Sequence, residues 1–280
     1  MSDDFLQGMA LASAERLSEA RATADLITLE RRAAEHKAPP PLRLSATGFD
    51  LIAELKKRSP AAGQLATTAV SPAAQAGKYV AAGAAAISVL TEPQRFSGSL
   101  EDLQQVVAGT ESIPVMRKDF LVDPYQIVEA RAAGAGGVLL IAAILEPSLL
   151  RDMLQTAFEL GMFVLVEAFD EADLLRCVPV MADRLPAINN DGSCRMLLGV
   201  NCRNLRTLAV EFTRFMALAG QLPDTIPWVA ESGVDTPYKA GQVASAGYRL
   251  ALVGTALMRS DGPQHAAQAL LQAGRDARAC

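Results

Sequence analysis

The sequence predicts an α/β chain built as a (β/α)8 barrel, the TIM-barrel fold, behind an N-terminal helical extension. Short β-prone runs, apolar on both faces, recur at an even pace from residue 51 to residue 253, as strands of a parallel sheet covered on both sides do. Helical patterns alternate with them; several open with Pro, or just after Asp or Ser, and stop at Gly. Polar residues collect at the C-terminal ends of the strands, where such barrels place their chemistry. An open doubly wound sheet is the structural rival. The absence of a Gly-rich loop after the first strand weakens a dinucleotide-binding version of it.

Residues 1–45 come ahead of the repeating units. Leu6–His36 is helical and charged, and the stiff stretch "APPPLRL" follows. We read it as one or two helices and a connector, then a barrel domain over 46–280; a disordered tail is the rival. The first strand, Leu51–Leu55, leads to a helix over Pro72–Ala82 that ends at Gly83. The second, Ala86–Leu90, leads to Leu100–Ala108, and the third, Pro114–Lys118, to Pro124–Ala133 ahead of Gly134. Val138–Ala142 precedes the helix Pro147–Leu160, closed by Gly161, and Phe163–Glu167 precedes Glu171–Val178. The long connection Met181–Arg195, with "NNDGS" in its second half, is expected to be a mobile surface loop. Leu197–Asn201 then leads to Glu211–Ala219, Trp228–Glu231 to Pro237–Ala246, and Arg249–Val253 to Pro263–Ala273.

Composition narrows the function. A chain of 280 residues, 50% hydrophobic, can bury a sizeable core. With a net charge of -5 and no long cluster of Lys/Arg, nucleic acid is not an expected partner. The longest apolar run, Gly136–Leu145, is about half the ~20 residues a membrane span needs, so no membrane is expected either. The N-terminus is acidic where a secretory signal is basic, which points to the cytoplasm. Cys177, Cys194, Cys202 and Cys280 lack CxxC spacing and read as free thiols. Neither His36 nor His265 is placed for metal or nucleophile chemistry, so acid–base work falls to Lys and Glu.

The strand ends supply those groups. Strand one ends "IAELKKRSP", with Glu54 and Lys56 on one side of the chain. Strand three ends at Lys118, strand five at Glu167, strand six at Asn201 followed by Arg203, and strand seven at Glu231 and Ser232. Each alone could be a solvated strand end; together they form a charged ring around one mouth. In it Lys118 is expected to meet carboxylates and to be available as a proton donor. Gly233 after strand seven, and Gly254 and Thr255 after strand eight, match the phosphate-holding loops of such barrels.

These stretches resemble the indole-3-glycerol phosphate synthase family. The resemblance runs through "IAELKKRSPAAG", "ISVLTEPQRFSGS", "PVMRKDFLVDPYQIVEARAAGA", "VLVEAFDEADL", "LGVNCRNLRTL", "ESGV" and "LVGTALMR". It implies a carboxy-lyase of tryptophan biosynthesis acting on a phosphorylated aryl-amino sugar, 1-(2-carboxyphenylamino)-1-deoxyribulose 5-phosphate. The family's reaction closes the pyrrole ring, then loses carbon dioxide and water, and the resemblance implies that no metal and no organic cofactor is needed. By the same resemblance Lys118 protonates the carbonyl, Lys56 anchors the anthranilate carboxylate, and Glu167 serves the dehydration. Glu54 and Asn201 hold the lysines and the hydroxyl, while Glu231 and Ser232 complete the ring. Ser59, Arg203, Gly233, Gly254 and Thr255 bind the substrate's phosphate side, and Phe96 and Phe120 form an apolar slot for the aryl ring. The N-terminal helices would cover the mouth. A monomer or weak homo-oligomer is expected.

Departures from the family pattern fall at Ala61, Ala168-Phe169, Cys202 and Thr255-Ala256, none of them a residue assigned to proton transfer. A lysine among other cations and apolar groups should have a lowered pKa, and its loss should leave stability unchanged or raised. Two other readings stay open on the residues. One is a sibling phosphate-binding barrel, a sugar-phosphate isomerase or a Schiff-base aldolase with Lys118 as nucleophile. The other is a non-catalytic barrel subunit.

Overall fold

The computed structural model describes residues 2–46, 48–61, 63–65, 71–203 and 209–279. Ala62 and residues 204–208 of the motifs above lie outside the described residues, as does Cys280. Eight parallel strands close on themselves: β1 (Asp50–Leu55), β2 (Ala86–Leu90), β3 (Val115–Lys118), β4 (Gly137–Ile141), β5 (Phe163–Ala168), β6 (Met196–Asn201), β7 (Trp228–Glu231) and β8 (Leu250–Val253), with β8 paired back to β1. Closure removes the open-sheet alternative. The strands match the sequence reading to within one residue at each end.

The helices are α1 (Ser2–Thr23), α2 (Leu26–Glu35), α3 (Pro72–Ala82), α4 (Pro93–Phe96), α5 (Leu100–Gly109), α6 (Pro124–Ala132), α7 (Pro147–Glu159), α8 (Glu171–Ala182), α9 (Arg214–Ala219), α10 (Pro237–Ser245), α11 (Thr255–Met258) and α12 (Pro263–Ala279). Three ends of the barrel helices differ from the sequence reading by more than one residue, each for a local reason. Helix α8 continues through Pro179, because the carbonyl that a proline leaves unpartnered belongs here to Leu175, which is exposed. Helix α9 starts at Arg214 because Glu211 is spent on a turn, its N–H bonded to Cys202 O and its carbonyl accepting from Arg214 N. Helix α12 runs past Ala273 through Gly274, where a Cβ would come within 2.0 Å of the Phe49 ring. Close packing on Phe49, just ahead of β1, and not helix propensity, selects that glycine.

The period-two alternation of the strands sorts the core into two layers. Outward residues such as Leu51, Ala53, Val138 and Val164 pack under the helices. Inward residues such as Ile52, Met116, Leu139, Leu165, Leu197 and Val229 fill the barrel. The same alternation decides what each strand shows at the mouth. The last inward residues of β1, β3, β5, β6 and β7 are Glu54, Lys118, Glu167, Asn201 and Glu231, whereas β2, β4 and β8 end inward on Leu90, Ile141 and Leu252.

The N-terminal segment spans the barrel from end to end. Leu6 and Met9 of α1 pack among Phe120 and Phe169 at the mouth. Helix α2 lies along α6, and Arg131 Nη2 of α6 holds the chain as it leaves α2, donating to Lys37 O at 2.6 Å. The connector then tucks Leu42, 1% exposed, into the opposite end of the barrel, where Leu42 O accepts from Cys194 N at 2.7 Å. The connection over 183–195 is therefore not a free surface loop. Asp191 caps its turn by accepting from Ser193 N and Oγ, Asn189 N bonds to Ser193 O, and Arg43 Nη1 donates to Asp191 O. Polarity read as mobility is here a set of local side-chain-to-backbone bonds. Cys177, Cys194 and Cys202 are buried free thiols. Among the described residues no helix is long and apolar enough to cross a membrane.

Candidate active site

Every residue given a catalytic or binding role from the strand ends and the motifs lines one cavity of about 540 Å³ at the C-terminal mouth. Its centre is an ammonium between carboxylates: Lys118 Nζ lies 3.2 Å from Glu167 Oε2 and 3.3 Å from Glu231 Oε2. Asn201 Nδ2 donates to the same Glu167 oxygen at 3.1 Å, so Asn201 orients Glu167 and not a lysine. Lys56 Nζ pairs separately with Glu54 Oε1 at 2.5 Å. The Asn201 carbonyl oxygen accepts from Arg203 N at 3.0 Å, which fixes the amide's orientation.

Two glycines make room for the acids. A Cβ on Gly254 would lie 2.2 Å from Glu54 Oε1, and one on Gly199 would lie 2.1 Å from Glu231 Oε1. The barrel is thus too narrow at these layers for either acid unless the facing position next to it is bare. Beyond β7, Ser232 (φ 67) and Gly233 (φ 87) both take left-handed backbone. This is uncommon for a serine and recurs at functional turns.

The electrostatics correct one expectation. Burial alone would lower the pKa of Lys118, but Glu167, Glu231 and Glu54 outweigh it and raise the pKa well above the ordinary lysine value. Lys56 is itself paired with a carboxylate, Glu54. Glu54 is held below the usual carboxylate range: burial pushes it up, and Lys56 and Lys118 push it down further. Glu231 goes the other way, raised first by burial and then by its like-charged neighbour Glu167. Its Oε1 is buried without a hydrogen-bond partner.

A pH-dependent stability follows. Glu231 has a folded-state pKa above 4.5, its value in the absence of the fold. The proton it binds on folding therefore contributes stability that is whole below pH 4.5 and is lost as pH rises through the folded pKa. Glu231→Gln mimics the protonated form, so its Tm relative to the parent should climb as pH rises from weakly acid to alkaline. Thermal melts across that range check this, and a pH-independent difference would refute it.

Other lining residues escaped the sequence reading. Phe5 and Leu6 of α1 reach the cavity, as do Phe169, Val210 and Arg259. The signal for α1 was present in the 6, 9, 13, 17 spacing of its buried residues, which marks one helix face. The other three sit in loops, where no period exists. Among the described residues no group of three His, Cys, Asp or Glu stands ready to hold a metal ion.

A family model described as indole-3-glycerol phosphate synthase matches residues 6–270. A curated protein of that name from Nocardioides sp. is 45% identical over 268 residues, covering 94% of this chain and 95% of its own. Another, from Mycobacterium tuberculosis, is 42% identical over 276 residues, covering 97% and 94%. Two solved structures share the fold alone at 14% identity. They are thiamine phosphate pyrophosphorylase from Pyrococcus furiosus (TM-score 0.58, 82% of this chain and 97% of that one) and 3-hexulose-6-phosphate synthase from Salmonella typhimurium (TM-score 0.61, 80% and 97%).

Proposed function

This chain belongs to the indole-3-glycerol phosphate synthase family, and we propose that the mouth described above carries that family's chemistry with Lys118 as the proton donor. The chain is a carboxy-lyase of tryptophan biosynthesis. It closes the pyrrole ring of 1-(2-carboxyphenylamino)-1-deoxyribulose 5-phosphate, with loss of carbon dioxide and water, to give indole-3-glycerol phosphate. The observation that carries the residue assignment is the Lys118 ammonium held between Glu167 and Glu231, with the Lys56–Glu54 pair lining the same cavity.

In this reading Lys56 receives the carboxylate of the anthranilate ring, and Phe96 and Phe120, whose ring centroids are 6.3 Å apart, flank the ring itself. The phosphate lies toward Ser59, Arg203, Gly233, Gly254 and Thr255. Holding both ends folds the flexible sugar so that the ring carbon bearing the carboxylate faces the ketone. As that carbon attacks, negative charge grows on the ketone oxygen, where the Lys118 ammonium stabilises it and protonates it. The carboxylate then leaves as carbon dioxide, which restores the aromatic ring. Glu167, oriented by Asn201, serves as acid and base while the new hydroxyl leaves as water and a proton is lost from the neighbouring carbon. A Schiff-base role for Lys118 is disfavoured, since an amine paired with two carboxylates stays protonated and is no nucleophile.

We also propose that the chain divides into an extension over 1–45 and a catalytic domain over 46–280. It works in the cytoplasm, as a monomer or weak homo-oligomer, without nucleic acid or membrane. Incubating the purified chain with the synthetic substrate should generate indole absorbance and fluorescence. A folded chain that produces none would overturn the reading. Sulfate or phosphate soaked into crystals should contact the backbone of Gly233 and Gly254–Thr255. An anion seated on Lys56 and Lys118 alone would remove the phosphate assignment.

A further inference from the structure

Two buried carboxylates stand at the rim of the mouth, and each fixes one phenylalanine of the aryl slot. Asp119 Oδ1 accepts the Phe120 N–H at 2.8 Å. Glu92 accepts the N–H groups of Gln94, Arg95 and Phe96 at 2.9, 2.6 and 3.1 Å. One side chain touches both acids, and it comes from the N-terminal helix. Arg16 Nη2 donates to Asp119 Oδ1 at 2.8 Å, while its Nη1, buried and without a hydrogen bond, stands 3.7 Å from Glu92 Oε1. Asp119 has other support, accepting from Thr91 Oγ1 at 2.8 Å with Arg117 Nη2 at 3.4 Å. Glu92, fully buried, has no other cation within ion-pair distance among the described residues.

We propose that Arg16 is a positioning residue for the aryl slot: by bridging Asp119 and Glu92 it sets the spacing of Phe96 and Phe120 and so the hold on the substrate's aromatic ring. The proposal rests on the slot assignment above. The guanidinium suits the task because its planar fork turns one nitrogen to each acid, Nη2 to Asp119 and Nη1 toward Glu92. Through Arg16 the cover over the mouth sets the slot's width as well as closing it. The same helix brings Phe5 edge-on to Phe120, at 6.3 Å and 77°. Arg16 is one of several ties on α1. Gln126 Nε2 donates to Ser13 Oγ, Tyr125 Oη lies 2.7 Å from Ala24 O, and Leu17 packs on Tyr125 and Val128. Losing Arg16 should therefore loosen the slot while α1 stays seated.

The test is steady-state kinetics of Arg16→Gln, Arg16→Lys and Phe120→Ala, with inorganic phosphate as a competing ligand and a thermal melt of each. Arg16→Gln should raise KM on the order of 10-fold, the scale of a lost aromatic contact, with kcat within about threefold and phosphate inhibition unchanged. Arg16→Lys should restore part of the loss. Should Arg16→Gln fail to fold, Arg16→Lys must show the same split on a smaller scale. If Phe120→Ala raises KM and Arg16→Gln does not, the clamp is wrong and the slot stands. If neither raises KM, the slot assignment fails and the clamp falls with it. A variant whose KM and phosphate inhibition weaken together, or whose Tm alone falls, makes Arg16 a structural tie and overturns the proposal.

Discussion

Lys118→Met should lose on the order of 10²-fold or more in turnover, the scale for removing a positioned proton donor. Methionine keeps much of the side-chain volume, so the cavity and its apolar rim should persist. KM should change less than kcat, because the phosphate loops and the aryl slot bind parts of the substrate that Lys118 does not touch. Stability should fall. Lys118 neutralises Glu167 and Glu231, both nearly inaccessible, and breaking a buried pair from one side costs about 3–5 kcal/mol. Part of that cost is offset when Glu231, already inclined to hold a proton, takes one up. A folded Lys118→Met protein with near-parental turnover would sink the mechanism, and an unchanged Tm would show that the acids do not depend on the ammonium.

The direction of that stability change shows where reading the sequence stops. Strand positions were legible because the fold buries both faces of each strand, and that requirement leaves β-branched and apolar runs at an even spacing. The polar ring was legible too, since a period of two turns Glu54, Lys118, Glu167, Asn201 and Glu231 inward at strand ends. The pairing within the ring was not. Lys56 follows β1 and Lys118 ends β3, two strands round the same mouth, and only three-dimensional register gives Lys56 to Glu54 and Lys118 to Glu167 and Glu231. A lysine pKa expected to fall among cations instead rises among carboxylates. The bare positions Gly199 and Gly254 were equally hidden, since nothing along the chain says which side chain stands opposite a glycine. Arg16 lies 103 residues before Asp119, and no local pattern links them.

Glu167→Gln should separate two chemical steps that Lys118→Met cannot. Glutamine fills the same space, and its carbonyl oxygen can still accept from Lys118 Nζ and Asn201 Nδ2, which meet Glu167 Oε2 at 3.2 and 3.1 Å. The amide cannot take up or give a proton at working pH. Ring closure and decarboxylation, which call on Lys118, should survive in part, whereas dehydration should slow on the order of 10²-fold or more. In a single turnover, carbon dioxide should then appear ahead of indole absorbance, with a ring-closed hydroxyl intermediate accumulating between them. In Lys118→Met both products should be delayed together, because the block precedes the loss of carbon dioxide. Substrate affinity should hardly change in Glu167→Gln, since the carboxylate faces Lys118 and Asn201 and neither of the proposed binding ends. Parallel release of carbon dioxide and indole in Glu167→Gln, at either a normal or a reduced rate, would remove Glu167 from the dehydration step and leave it a partner that only holds Lys118.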